Sequence, residues 1–100
     1  MKPLTPEEIQ VQTQALPEWQ LVGDEIRREY AFADFIQAMT AVNTIAMLAE
    51  DVEHHPDIDI RYNKVRLALT THDAGGLTQK DFDLAQSIED DISPQLEEMQ

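Results

Sequence analysis

The three histidines of this chain fall in two short segments: Glu50-Asp51-Val52-Glu53-His54-His55-Pro56 and Thr71-His72-Asp73-Ala74-Gly75-Gly76. Imidazole is the side chain that gains and loses a proton near neutral pH without help from its surroundings, so such a cluster suits general acid–base chemistry. Two other uses compete with it. Three imidazoles with Glu50 would suit zinc, but neighbouring side chains such as His54 and His55 point apart on regular structure, and no His-Glu-x-x-His pattern is present. Histidines without a role are the plain alternative, though a chain has few reasons to collect them all in two places.

The flanking pattern says how the segments are held. Phe35, Ile36, Met39, Val42, Ile45, Ala46 and Ala49 recur at three and four, predicting a principal helix from about Ala33 to Glu50, with Asp34 favourable at its start and the methionines Met39 and Met47 as fillers of a buried face. Pro56 biases His55 away from helical geometry, so that helix should stop near Glu53 and leave the histidine pair on a helix-to-strand loop. Glu50 and His54 share a face only if the helix reaches His54. Beyond Pro56, Asp57–Arg61 and Lys64–Thr70 alternate about a Tyr62-Asn63 turn, with Val65, Leu67 and Leu69 on one face. Such a hairpin returns the chain to its starting end and brings His72 toward His54 and His55.

Earlier in the chain, Leu4-Thr5-Pro6-Glu7-Glu8-Ile9 reads as a helix start over about residues 6 to 15, with Thr5 and Glu8 as a capping box and Leu4 and Ile9 as a staple. Leu16-Pro17 ends it. Trp19, Leu21, Ile26, Tyr30 and Phe32 then alternate across Gly23-Asp24 as a first hairpin, with Trp19 a core aromatic. Leu77-Thr78-Gln79-Lys80-Asp81-Phe82 repeats the helix entry, with Thr78 as cap and Asp81 as its reciprocating acid, and Phe82, Ala85, Ile88 and Ile92 mark the buried stripe. Pro94 should kink or end that helix near Ile92, and Glu97-Glu98 should be solvated. The order α-β-β-α-β-β-α predicts one α+β domain over residues 1–100: a four-stranded antiparallel sheet with three helices on one face. The uncovered face and strand edges should offer apolar surface to a partner chain, hence a homodimer or homotetramer.

Composition excludes several classes. Seven Lys and Arg stand against twenty Asp and Glu, a net charge of −13 that repels nucleic acid and anionic membrane surfaces. There is no cysteine for a disulfide, a thiol nucleophile or a thiolate metal site. No run approaches the roughly 18 apolar residues of a membrane span, and the first residues lack a signal-peptide pattern, so a cytoplasmic protein is expected.

One resemblance is specific. Glu50-x-x-x-His54-His55-Pro56, then Tyr62, His72 and Asp81 at their offsets, resembles the signature of the pterin-4a-carbinolamine dehydratases, also called the dimerisation cofactor family. His54 to Ile58, Tyr62-Asn63-Lys64-Val65 and Thr71 to Thr78 look like family text, and Leu4-Thr5, Leu16-Pro-x-Trp19 and Phe32-x-x-Phe35 match more loosely. The resemblance implies the same α-β-β-α-β-β-α fold and a reaction without metal or organic cofactor. It implies His54 and His72 as an acid–base pair, His55 as the residue that orients the pterin, and Glu50 and Glu53 as pocket supports. Pro56, Thr71, Asp73 and Ala74 would be loop contacts. Family members often carry Asp where this chain has Glu53; Asp81 reads mainly as a helix cap and Tyr62 as turn packing. The substrate would be a 4a-hydroxytetrahydropterin, supplied by an aromatic amino acid hydroxylase as pathway partner. The rival implication is a non-enzymatic dimerisation cofactor or assembly chaperone on the same fold.

Overall fold

Local chemistry sets where each element of the computed structural model starts and stops; it describes residues 2–98, without the side chains of residues 97 and 98. Thr5 accepts from the Glu8 amide at 3.2 Å and the Glu8 carboxylate accepts from the Thr5 amide at 2.9 Å, which starts α1 (Pro6–Gln14). Leu4 and Ile9 pack against the core as the staple. β1 (Gln20–Val22) turns through Gly23, at φ 61°, into β2 (Glu25–Ala31). Asp34 caps α2 (Phe35–Val52) by accepting from the Gln37 amide. Then come β3 (Asp57–Arg61), β4 (Lys64–Leu69), a 3-10 turn (His72–Ala74) and α3 (Gln79–Glu98).

The strands form one antiparallel sheet in the order β1-β2-β4-β3. Ile26 opposes Leu69 and Tyr30 opposes Val65, so one face of the central strands is apolar and buried against α2 and α3. From α3, Phe82, Leu84, Ala85, Ile88 and Ile92 close the core, and Trp19 is buried at the mouth of β1. Each large aliphatic removed from water here contributes roughly 1.5–3 kcal/mol.

Three expectations need correction. The buried stripe of α2 is Ala38, Ala41, Ile45 and Ala49, while Phe35 and Ala46 are exposed and Ile36 and Met47 are each 73% exposed. α2 is apolar around much of its circumference, so periodicity alone does not fix its rotation; the small side chains face inward because they allow close approach to sheet and helix. The uncovered face of the sheet is also not apolar. It carries Glu25, Arg27, Glu29, Asp59, Arg61 and Arg66, with ion pairs Arg27–Glu25 and Arg66–Glu29. Of the exposed large apolar groups among the described residues, Val22 lies on that face, and the others lie on α1 and α2, at Leu21 of β1, at Ile58 and Ile60 of edge strand β3 and at Tyr62 of the turn. Finally, of the two outcomes expected at Pro94 the ending does not occur: α3 runs on through the proline to Glu98. Ser93 donates to the Glu89 carboxylate and Gln95 to the Asp91 carbonyl, which ties the turns on either side of the proline together. The expected solvation of Glu97 and Glu98 concerns side chains outside the described residues.

Candidate functional site

The site begins at the end of α2. Glu53 adopts left-handed geometry, φ 52° and ψ 43°, its amide donating to the Glu50 carbonyl and the His54 amide to the Ala49 carbonyl. This closure satisfies the last carbonyls of the helix and turns the chain sharply. A non-glycine residue there stores strain, held by the surrounding structure. The turn carries His54 off the helix, so Glu50 does not meet it. Glu50 pairs instead with His55 Nε2, both side chains largely exposed.

His54 points the other way. Its Nε2 lies 2.5 Å from Asp81 Oδ1, with the His54 side chain 12% exposed and the Asp81 side chain 0%. Asp81 Oδ2 accepts from the Thr71 hydroxyl at 2.8 Å and from the Thr78 amide at 2.9 Å. Since the Thr71 hydrogen is committed to Asp81, the 2.8 Å contact between the two threonine hydroxyls is Thr78 donating to Thr71. Thr78, expected to cap α3 with its hydroxyl, therefore reaches across to the β4 end, and only the Asp81 half of the anticipated capping box forms.

The second loop is closed by a bridge between Thr71 and Gly76, whose amides and carbonyls pair at 3.3 Å in both directions. Within it His72, Asp73 and Ala74 form the 3-10 turn, ended by Gly75 at φ 75°, a conformation glycine adopts without penalty. His72 and Asp73 are exposed, and Thr71 and Ala74 half-buried. The sequence-predicted residues thus assemble in two layers. His54 and Thr71 are linked below through Asp81, while His55 with Glu50 and His72 with Asp73 lie outside, flanking them in the chain. Pro56 is half-buried behind the pair, and Glu53 is exposed. Asp81, which the sequence offered as part of the histidine signature but mainly as a cap, and Thr78, read as a cap, also hold this network together. A buried acid at the end of a histidine signature was the available signal.

Among the described residues no cluster of three His, Asp or Glu side chains is disposed to hold a metal ion. A cleft of about 720 Å³ lies on the uncovered face of the sheet, but its walls, including Glu25, Arg27, Glu29 and Arg66, contain none of the histidines. Two of its acids are paired, Glu25 with Arg27 and Glu29 with Arg66, and the hydrogen bond from Arg66, with its charge, holds the Glu29 carboxyl below the usual carboxylate range.

Comparison with known proteins identifies the family. The profile of the family described as pterin 4 alpha carbinolamine dehydratase matches residues 2–90. The chain belongs to that family. A protein of Acidobacterium capsulatum, provisionally named a pterin-4-alpha-carbinolamine dehydratase, is 60% identical over 89 residues, covering 89% of this chain and 97% of its own. The crystal structure of a transcriptional coactivator/pterin dehydratase from Brucella melitensis superposes with a TM-score of 0.85 at 33% identity, over 89% of this chain and 97% of its own. A pterin dehydratase-like protein identified as a RuBisCO assembly factor of the alpha-carboxysome shares the fold at TM-score 0.59 and 19% identity, over 72% of this chain and 83% of its own. The α+β architecture of this dehydratase family is the one the strand and helix pattern predicted. No helix among the described residues is long and apolar enough to cross a membrane.

Proposed function

We propose that this chain, acting as a single dehydratase domain over residues 1–100, converts a 4a-hydroxytetrahydropterin such as 4a-hydroxytetrahydrobiopterin into quinonoid dihydropterin. The observation that carries the proposal is His54 held against the buried Asp81, with His72 directly following the Thr71 that shares the same carboxylate. In the reaction the N5 lone pair expels the C4a hydroxyl as water, and N5 then loses its proton. One group must protonate the departing oxygen and another must take the N5 proton, and His54 and His72 are the pair for these two transfers. His55, exposed beside Glu50, orients the ring. Glu50 and Glu53 support the rim, and Pro56, Thr71, Asp73 and Ala74 form the loops that meet the substrate. Proton transfer between imidazoles and substrate balances the reaction, so no cofactor or metal is assigned.

In this reading the enzyme takes the dehydration step of tetrahydropterin recycling after an aromatic amino acid hydroxylase, leaving the quinonoid dihydropterin to a separate reductase, in the cytoplasm, as a homodimer or homotetramer. The exposed Phe35, Ile36, Met47 and Val52 of α2 and the edge strand β3 support self-association, since a second subunit would remove them from water. Light scattering should then give a mass well above the 11.4 kDa of one chain. The binding-module reading, a dimerisation cofactor or assembly chaperone, draws on those same apolar groups. An absorbance assay separates the two: purified protein, with or without a chelator, should accelerate loss of the carbinolamine. A folded protein that leaves the uncatalysed rate unchanged sinks the dehydratase.

A further inference from the structure

We infer that Asp81 is the positioning residue of this site, holding His54 as the Nε2–H tautomer so that Nδ1 is the atom that exchanges a proton with the substrate. The inference rests on the dehydratase reading for its catalytic half alone.

A helix cap needs one carboxylate oxygen, and the cap at the start of α3 uses Oδ2, which takes the Thr78 amide. Oδ1 is left over, fully buried, and its partner is His54 Nε2 at 2.5 Å. The Thr71 hydroxyl, itself fixed by the Thr78 hydroxyl, donates to Oδ2 and sets the plane of the carboxylate, and with it the direction in which Oδ1 faces. A proton between a carboxylate and an imidazole rests on the imidazole, the stronger base of the two in water. Nε2 is therefore the donor and, in the neutral ring, Nδ1 carries the free lone pair. Nδ1 has no hydrogen-bond partner among the described residues, and no buried side-chain nitrogen or oxygen among them lacks one. The unpaired Nδ1 is therefore not shut away from solvent, in a side chain that is 12% exposed. The ring is anchored at one nitrogen and available at the other, the arrangement by which a carboxylate sets the working tautomer of a catalytic histidine.

Asp81→Asn tests this without removing a contact. The amide oxygen can keep the bonds from the Thr78 amide and the Thr71 hydroxyl, while the NH₂ group must donate to Nε2, which drives the ring proton to Nδ1 and blocks the working nitrogen. Nitrogen-15 NMR of the histidine rings should show Nε2 protonated and Nδ1 bare in neutral His54 of the wild type, and the reverse in Asp81→Asn. The kcat of Asp81→Asn should fall between about 10²-fold and 10⁴-fold with little change in KM, whereas mere loss of rigidity would move both. A wild-type His54 protonated at Nδ1, or an Asp81→Asn variant with wild-type kcat, overturns the inference while leaving the dehydratase in place. A wild-type protein that is inactive yet shows Nε2–H on His54 overturns the catalytic half and the dehydratase together, and leaves the tautomer assignment standing.

Discussion

Two acidic residues of α3, about two turns apart, each gather donors from other elements, and they do so to different ends. Glu89 takes Trp19 Nε1 at 2.9 Å, Arg28 Nε at 2.6 Å and the Tyr30 hydroxyl at 2.7 Å on one oxygen, and the Ser93 hydroxyl on the other. Arg28 also lies 4.0 Å over the Tyr30 ring. Asp81 takes a backbone amide, a threonine hydroxyl and a histidine. None of Glu89's partners changes charge near neutral pH, so that cluster is a permanent pin between the first hairpin and α3. One of Asp81's partners is an imidazole, which can hold a proton on either ring nitrogen, and its second nitrogen has no partner among the described residues. What separates a structural carboxylate from a working one here is the chemistry of its partners more than its burial.

The largest expected effect falls on the pin. Glu89→Ala leaves the Arg28 guanidinium, the Trp19 N–H and the Tyr30 hydroxyl partly buried without their acceptor, and should lower the unfolding free energy by about 3 kcal/mol, read from the urea midpoint. The kcat of the folded fraction should stay within about twofold of wild type, because nothing in the cluster touches the histidines. Stability should carry the cluster's signature in pH. Burial raises the Glu89 carboxyl, but donation from Arg28, Ser93 and Tyr30 and the charge of Arg28 outweigh it and leave the group below its ordinary value of 4.5. Its contribution is present above 4.5 and lost as the pH falls below that value. Burial, then the hydrogen bond and charge of Glu89, raise the Tyr30 phenol above its ordinary 10.0, so its contribution is present below 10.0 and lost as the pH climbs past it. Urea midpoints across pH should show both limbs in the wild type, and Glu89→Ala should flatten the acid one.

Next in size are the two histidines proposed to transfer protons. His54→Ala and His72→Ala should each lower kcat by about 10²-fold while the protein stays folded. The double variant should lose less than the product of the two, since one substitution already breaks a paired transfer. An unfolded His54→Ala would place Asp81 with Glu89 as a structural hub and erase the contrast between them.

Much of this arrangement was legible beforehand, for a physical reason. Element order follows from capping chemistry and from the switch between helical and alternating periods, both local properties: Thr5 with Glu8, Asp34, Gly23-Asp24 and Tyr62-Asn63 act over a few residues. The alternation of Val65, Leu67 and Leu69 likewise fixed which side of β4 is buried. What was not legible is relational. The rotation of α2 depends on the shape of the layer beneath it, which selects Ala38, Ala41 and Ala49 over the bulkier Phe35 and Ile36. Asp81 satisfies a capping pattern so well that its second oxygen went unaccounted for, and no local rule joins it to a histidine 27 residues away. Helical spacing would give Glu50 to His54 only if α2 reached it, and what the left-handed Glu53 does instead, turning the chain so that Glu50 meets His55, follows from no local pattern.

That last exchange sets the smallest predicted effect. The His55 and Glu50 side chains are 62% and 75% exposed, so water competes for both and their pairing contributes little to the fold. A ring held this loosely can move to meet a ligand, but it lacks the buried partner that would fix one tautomer, as Asp81 fixes that of His54. Its part should then be a contact made equally in the ground and transition states, which sets KM and leaves kcat alone. His55→Ala should raise KM by up to about tenfold with kcat within about twofold and unchanged stability, and Glu50→Gln should follow it in the same direction by less. Steady-state kinetics on both variants checks this. If His55→Ala instead lowers kcat as far as His54→Ala does, anchoring by a buried carboxylate is not what makes a histidine of this site catalytic.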